Sequence, residues 1–135
     1  MVDLGSGAGF PGLPIALLHP EREVVLVESR ERRHHFQRAA IRELGIENVV
    51  LRLGRVEELP PEPRPLVTAQ ALSQPDQALA WMLPWSEPGG TLALPLSVDQ
   101  EPPGSIEGIV EPSVISYSVP LGGPRRVVWL ARKTR

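Results

Sequence analysis

Closely spaced glycines near the N-terminus constrain the fold of this chain more than any other feature of its sequence. Gly5, Gly7 and Gly9 follow a short apolar stretch, residues 1–4, and precede residues 10–18, which can form a helix. A tight turn from a strand into a helix brings backbone N–H groups and a helix N-terminus close to a ligand. The sequence therefore predicts that the chain opens with the strand–turn–helix unit of an α/β nucleotide-binding fold.

Strand and helix patterns alternate along the rest of the chain. Four apolar stretches predict strands at residues 23–27, 48–53, 66–71 and 91–96. Helices are predicted at 30–44 and 75–85, and a closing antiparallel pair is predicted at 113–119 and 127–131. Such alternation in short units is typical of a mostly parallel, doubly wound sheet with helices on both faces.

The predicted helix 30–44 carries both apolar and basic residues. Ser29 is the expected N-cap and Gly45 the expected stop. The side chains expected on its buried face are Phe36, Ala40, Ile41 and Leu44. Its basic residues are Arg30, Arg32, Arg33, Arg38 and Arg42. A solvated face is the favoured interpretation of these arginines, and an RNA-facing patch is the alternative.

Length and composition indicate a single globular domain, residues 1–135, with 41% hydrophobic and 22% charged residues. No apolar run approaches the roughly 20 residues of a membrane helix, and there is neither a signal-peptide pattern nor a cysteine. We therefore expect a cytoplasmic protein without membrane contact. Adjacent His34 and His35 lack the spacing of metal ligands, so no metal is expected. A net charge of −2 is not typical of a dedicated nucleic-acid binder, so any RNA contact has to come from a local patch.

Two carboxylates accompany the glycines. Asp3 precedes Gly5 by two residues, and Glu28 ends the second predicted strand. An acid at the second position accepts hydrogen bonds from ribose hydroxyls, in dinucleotide and S-adenosylmethionine (AdoMet) proteins alike. The stretch from Gly7 to Gly12 also satisfies the dinucleotide motif G-x-G-x-x-G, so an NAD-binding oxidoreductase is an alternative. Asp3 favours AdoMet, because a carboxylate there suits a cationic ligand and would repel a pyrophosphate.

Residues 2–14, VDLGSGAGFPGLP, closely resemble the GidB (RsmG) family of bacterial methyltransferases that act on small-subunit ribosomal RNA. The Phe-Pro-Gly extension makes this motif more specific than a bare glycine motif. Further similarity lies at residues 27–29, 44–49, 54–58, 85–90 and 125–133. The resemblance implies a Rossmann-like class I AdoMet-dependent methyltransferase with a mostly parallel seven-stranded sheet. The implied reaction is methyl transfer to N7 of a guanosine in the ribosomal RNA.

The loop, the acids and the resemblance together predict a cofactor site for AdoMet. Its predicted residues are Asp3, Gly5, Ser6, Gly7, Gly9, Phe10, Glu28, Ser29, Val56 and Glu57. Candidates for positioning the reactants are Arg55, Gln70 and Arg125. The three tryptophans, Trp81, Trp85 and Trp129, are expected in the core.

The chain also departs from the family pattern. Gln70 stands where family members carry arginine, and Pro95 stands where they carry lysine. The chain begins inside its first predicted strand, so we expect a divergent member truncated at its N-terminus. These departures leave a second interpretation open, a degenerate paralogue that binds AdoMet and is catalytically weak or inactive.

Overall fold

A seven-stranded sheet forms the middle of the molecule in the computed structural model, which describes residues 1–135. The strands are β1 (Val2–Leu4), β2 (Val24–Glu28), β3 (Val49–Leu53), β4 (Arg64–Ala69), β5 (Ser86–Ser97), β6 (Ile109–Ser118) and β7 (Arg125–Lys133). The helices are α1 (Gly12–Leu18), α2 (Glu31–Leu44) and α3 (Pro75–Met82), and a 3₁₀ turn spans Leu83–Trp85. None of the helices is both long and apolar enough to cross a lipid bilayer.

The strand order is β3-β2-β1-β4-β5-β7-β6. The first five strands in this order are parallel, whereas β7 runs antiparallel to both of its neighbours. The chain moves outward from β1 to β3 and then returns to β4 on the other side of β1. In an open α/β sheet, ligands bind at the carboxyl ends of the strands where the order reverses in this way. The predicted mostly parallel sheet and its closing antiparallel pair are both confirmed.

Both faces of the central strands are covered, and the run of β2, VVLV, is accordingly apolar without alternation. Every residue of β1 and β2 is buried. On one face the core contains Leu79 and Met82 of α3 together with Trp85 and Trp129. A smaller cluster on the other face includes Leu13 of α1. The prediction that Trp85 and Trp129 belong to the core is confirmed.

The predicted buried face of α2 is only partly correct. Ala40 and Ile41 do pack against the smaller core cluster, but Phe36 and Leu44 are each 56% exposed. Gln37 is the one residue of α2 that is fully buried. Successive helical residues differ by about 100° in direction, so Gln37 lies near the midline between Ala40 and Ile41, whereas Phe36 points about 90° away from that midline. Gln37 lies in the interior instead of Phe36 because its amide finds hydrogen-bond partners there.

The ends of several elements also differ from their predicted positions. Arg30, not Ser29, is the N-cap residue of α2, and it makes no side-chain capping bond. Gly45 ends α2 in the left-handed conformation, as predicted. Strand β5 begins five residues before its apolar run because its start pairs with Arg64 of β4. Interstrand hydrogen bonding, which local sequence patterns do not report, sets the start of β5.

Candidate functional site

The loop between β1 and α1 lies at the carboxyl edge of the sheet, where the strand order reverses. Gly5 and Gly7 have φ angles of +66° and +58°, a region that residues with a Cβ rarely adopt. The Ser6 amide donates to the carbonyl of Val27 at 3.0 Å, and the Gly9 amide donates to the carbonyl of Ser6 at 2.7 Å. These bonds fold the loop into a tight turn against the end of β2. The predicted strand–turn–helix unit is confirmed.

Glu28 ends β2 beside this loop and is 3% exposed. Its Oε2 accepts a hydrogen bond from the Gly7 amide at 2.8 Å, and its Oε1 accepts one from the Arg30 amide at 3.1 Å. Each carboxylate oxygen can accept two hydrogen bonds, so one acceptor position remains on each. Glu28 therefore holds the loop in place and retains the capacity to accept further hydrogen bonds.

Asp3 lies beneath the loop and is completely buried. Its Oδ2 accepts a hydrogen bond from the Gly12 amide at 3.0 Å, whereas Oδ1 has no partner. Burial raises the pKa of this carboxyl to about 8; the nearby Glu28 carboxylate raises it further, and the Gly12 hydrogen bond opposes the shift. Asp3 thus anchors the start of α1 and leaves one buried oxygen unpaired.

A cleft opens beside the loop. Its lining consists of Gly5, Val27, Ser29, Gly54, Arg55, Val56, Glu57, Leu72 and Trp81. All of these residues except Trp81 lie at the carboxyl ends of the parallel strands β1 to β4 or in the loops that follow these ends. Trp81 belongs to α3. This convergence follows from the topology, because parallel strands end at one edge of the sheet.

The structure brings only part of the predicted site together in this cleft. The predicted cofactor residues that line it are Gly5, Ser29, Val56 and Glu57, and the predicted positioning residue Arg55 lines it as well. Ser6, Gly7 and Gly9 are part of the loop but do not line the cleft, and Glu28, also outside the lining, holds the loop through the Gly7 amide. Phe10 is 63% exposed and is not part of the lining.

Four residues of the cleft were not predicted to belong to the site: Val27, Gly54, Leu72 and Trp81. Leu72 follows β4 and approaches the loop so closely that a Cβ built on Gly5 would lie 2.5 Å from its Cδ1. Trp81, expected in the core, is half-buried, packs against the core and also lines the cleft. Gly54 directly follows β3, next to the predicted residues Arg55 and Val56, and this position could have identified it. No local pattern pointed to Leu72.

The other two positioning candidates lie outside the cleft. Gln70 is exposed directly after β4, and Arg125 is exposed at the start of β7. Because β7 is antiparallel to β5 and Arg126 pairs with Ser97, Arg125 lies at the same edge of the sheet as the glycine loop. Pro95 lies within β5, opposite Val128 of β7. The roles predicted for Gln70 and Arg125 stay predictions.

The arginines of α2 are exposed and form no salt bridge. Those with exposed side chains are Arg32, Arg33, Arg38 and Arg42. Arg33 extends toward the loop, with its Nη1 3.8 Å from a Cβ built on Gly7. A solvated face and an RNA-facing patch both fit this arrangement.

Solved structures share this fold. An rRNA methylase from Streptococcus thermophilus superimposes with a TM-score of 0.69 and 20% sequence identity, over 99% of this chain and 87% of that one. TYW2 from M. jannaschii, solved in complex with AdoMet, superimposes with a TM-score of 0.74 and 13% identity, over 99% of this chain and 68% of that one. The fold is therefore that of the class I AdoMet-dependent methyltransferases.

Sequence comparison is more specific than the fold. A family model described as GidB, rRNA small subunit methyltransferase G, matches residues 1–96. The ribosomal RNA small subunit methyltransferase G of a Nocardioides species is 38% identical over 96% of this chain and 56% of its own length. The protein of the same name from Kineococcus radiotolerans is 44% identical over 68% of this chain and 37% of its own length. The chain thus spans about a third to just over half the length of these relatives. By the family match and these relatives, the chain belongs to the rRNA small subunit methyltransferase G family.

Proposed function

We propose that residues 1–135 act as a single AdoMet-binding domain that transfers a methyl group to N7 of a guanosine in small-subunit ribosomal RNA. The observation that carries this proposal is the cleft between the glycine loop, the end of β2 and the loop after β3. Its lining combines a glycine without a side chain, Gly5, with the carboxylate of Glu57 and the apolar side chains of Leu72 and Trp81. Such a mixture suits a nucleoside with a charged amino-acid tail.

The residues around the cleft fit this cofactor. Glu28 retains one acceptor position on each oxygen, enough for the two hydroxyls of a ribose. Glu57, which pairs with Arg55 at 3.2 Å, borders the part of the cleft where the adenine is expected. The Asp3 carboxyl, whose Oδ1 is unpaired, lies beneath the loop, where a cationic ligand would favour its ionised form. When bound, AdoMet supplies a methyl group on a positively charged sulfur.

The reaction needs little from the side chains. Guanine N7 carries a lone pair and no proton, so no general base is required. In the transfer, the bond between sulfur and the methyl carbon breaks while the bond from N7 to that carbon forms, and the electron pair stays on sulfur. The chain therefore contributes alignment and exclusion of water. We assign water exclusion to Leu72 and Trp81, and alignment of the reactants to Arg55, Gln70 and Arg125.

Ribosomal RNA as the substrate class is supported by the names of the relatives, both of which are called small subunit methyltransferase G. Because the net charge is −2, contact with RNA phosphates has to be local. Arg32 and Arg33, in the first turn of α2, and Arg125 are exposed, unpaired cations at this edge of the sheet, whereas Arg42 lies in the last turn of α2, toward the opposite edge. We place the protein in the cytoplasm, where ribosomal subunits are assembled. Nothing in the family membership favours the dinucleotide interpretation.

Two measurements test the proposal. Calorimetric titration with AdoMet, S-adenosylhomocysteine and NAD is expected to show binding of the first two alone; binding of NAD without AdoMet would overturn it. Incubation of small ribosomal subunits with labelled AdoMet is expected to give a labelled N7-methylguanosine. Binding without any transfer, followed by transfer in the double variant Gln70→Arg, Pro95→Lys, would identify a degenerate paralogue instead.

A further inference from the structure

The buried glutamine of α2 contacts the glycine loop directly. Gln37 is 0% exposed, and its Nε2 donates hydrogen bonds to Ser6 Oγ at 2.7 Å and to the carbonyl of Gly7 at 2.8 Å. Since a backbone carbonyl can only accept, the atom that faces Gly7 has to be the nitrogen of the amide. Both N–H groups of this amide are therefore directed at the loop.

The contact continues through Ser6 into the sheet. Ser6 Oγ accepts from Gln37 and donates to the carbonyl of Val27 at 3.4 Å. The backbone of Gly7 is held on both sides, because its N–H is bound by Glu28 at 2.8 Å and its carbonyl by Gln37. Two side chains from different elements thus fix Gly7. A glycine has no Cβ that would enforce its φ of +58°, so these contacts are needed to hold it.

Two hydrogen bonds and one unpaired acceptor determine what this glutamine contributes to stability. A buried hydrogen bond contributes modestly to stability, whereas a buried polar atom left without a partner destabilises by a similar or larger amount. The Oε1 of Gln37 is such an atom. An apolar side chain of similar length would remove this unpaired acceptor, but it would leave the Gly7 carbonyl without its donor and could not hold it in place.

We propose that Gln37 is a positioning residue that holds the glycine loop in the conformation that receives the cofactor. The proposal rests on the proposed function, because it assigns the loop to AdoMet binding. A loop that is already ordered loses less conformational entropy when a ligand binds. The conformational entropy of one backbone residue corresponds to roughly a tenfold change in affinity. Loss of the Gln37 contacts should therefore weaken cofactor binding by about that factor.

Asn48 provides a matched control at the opposite edge of the sheet. Its Nδ2 donates to the carbonyls of Ala16, His19 and Arg22 at 3.0, 3.1 and 2.7 Å. Like Gln37, it is a side-chain amide that holds a loop through backbone carbonyls. Its contacts lie at the amino ends of the strands, away from the cleft, so its loss should affect stability alone.

The test compares Gln37→Met with Asn48→Leu, each of which replaces an amide by an apolar group of similar size. Hydrogen exchange of the Gly7 and Gly9 amides, measured in the protein without cofactor, should accelerate about tenfold in Gln37→Met relative to the core strands. Affinity for S-adenosylhomocysteine should fall by about the same factor. Asn48→Leu should lower the melting temperature and change neither the exchange of these two amides nor the affinity.

A milder variant guards against loss of folding. Ser6→Ala removes one of the two acceptors and should produce the same changes as Gln37→Met at smaller amplitude. Unchanged exchange at Gly7 and Gly9 in both variants would overturn the proposal, as would a loss of affinity in Asn48→Leu equal to that in Gln37→Met. If the wild-type protein binds no S-adenosylhomocysteine, the proposed function fails, while the exchange measurement still decides whether Gln37 holds the loop.

Discussion

The carboxylate of Glu28 accepts a hydrogen bond of 2.8 Å from the amide of Gly7, which joins the end of β2 to the loop after β1. The two residues are far apart in the chain but adjacent in space because β1 and β2 are parallel neighbours in register from Val2 and Val25 onward. The acid at the end of one strand therefore reaches the turn at the end of the other. Loop conformation and the predicted ribose contact thus depend on the same side chain.

Replacing this carboxylate should destabilise the domain. In Glu28→Gln the amide can offer an oxygen to only one of the two backbone N–H groups that the carboxylate now binds, those of Gly7 and Arg30. Hydrogen bonds to charged groups contribute about 1.5–3 kcal/mol each, so we expect a loss of roughly that size in urea denaturation. Glu101→Gln, at an exposed position, should change the free energy of unfolding by less than about 0.5 kcal/mol. Equal effects of the two variants would contradict the structural role of Glu28.

The buried carboxyl of Asp3 should make stability depend on pH. Its pKa is about 8 in the folded protein and near 3.8 without burial, so between these values the folded state holds a proton that the unfolded state has lost. The free energy of unfolding then decreases with rising pH, by at most about 1.4 kcal/mol per pH unit from this group. The contribution is complete below pH 4 and is lost as the pH rises to 8.

Asp3→Asn removes this dependence while keeping the shape of the side chain. The stability of the variant relative to wild type should therefore increase between pH 5 and pH 8 and level off above pH 8. Urea denaturation of both proteins at several pH values measures the difference, in which all other titrating groups cancel. A difference that does not change with pH would show that Asp3 is ionised in the folded protein.

Gly5 is expected to resist substitution for two separable reasons. Gly5→Ala places a Cβ at a φ of +66° and 2.5 Å from Leu72 Cδ1, whereas Gly45→Ala has the same backbone requirement, φ +62°, and open space around it. Gly45→Ala should cost about 1–2 kcal/mol from the backbone alone. Gly5→Ala should cost a further 1–3 kcal/mol or so from overpacking.

The double variant Gly5→Ala, Leu72→Ala tests the second reason. Removing the Leu72 side chain should recover the overpacking part of the Gly5→Ala effect and leave the backbone part, so the two changes are not additive. Thermal or urea unfolding of the four proteins gives the coupling. Strict additivity would show that Leu72 does not press on the loop.

Replacing Arg55 is expected to affect ligand binding and to change the stability of the domain very little. Its ion pair with Glu57 is 3.2 Å long, with side chains 65% and 35% exposed, and such surface pairs contribute little. Arg55→Ala should therefore change stability by less than about 1 kcal/mol but weaken binding of S-adenosylhomocysteine, because Arg55 lines the cleft. Arg22→Ala breaks a comparable exposed pair with Glu21, 3.5 Å long and outside the cleft, and should leave affinity unchanged. Equal affinities of the two variants would remove Arg55 from the site.

The sequence by itself determined the order of the elements and the place of the site along the chain. Local patterns were sufficient for this purpose. The apolar run of β2 indicates a buried strand, and the glycines after β1 permit the positive φ angles of the turn. Parallel topology followed from the alternation of strands and helices. That topology fixed which loops meet at one edge, so Gly5, Ser29, Val56 and Glu57 could be predicted to lie near one another before any distance was known.

Only the tertiary structure decided which side chains meet. A helical pattern locates a buried face to within about one residue, so it could not choose between Phe36 and Gln37 in α2. The choice fell to Gln37 because Ser6 and Gly7, about thirty residues earlier, offer its amide two acceptors. Leu72 likewise lies beside Gly5 because of packing between distant segments, since this contact depends on β4 lying next to β1. Local sequence records the preferences of each segment, whereas contacts between distant segments arise from the packing of the whole chain.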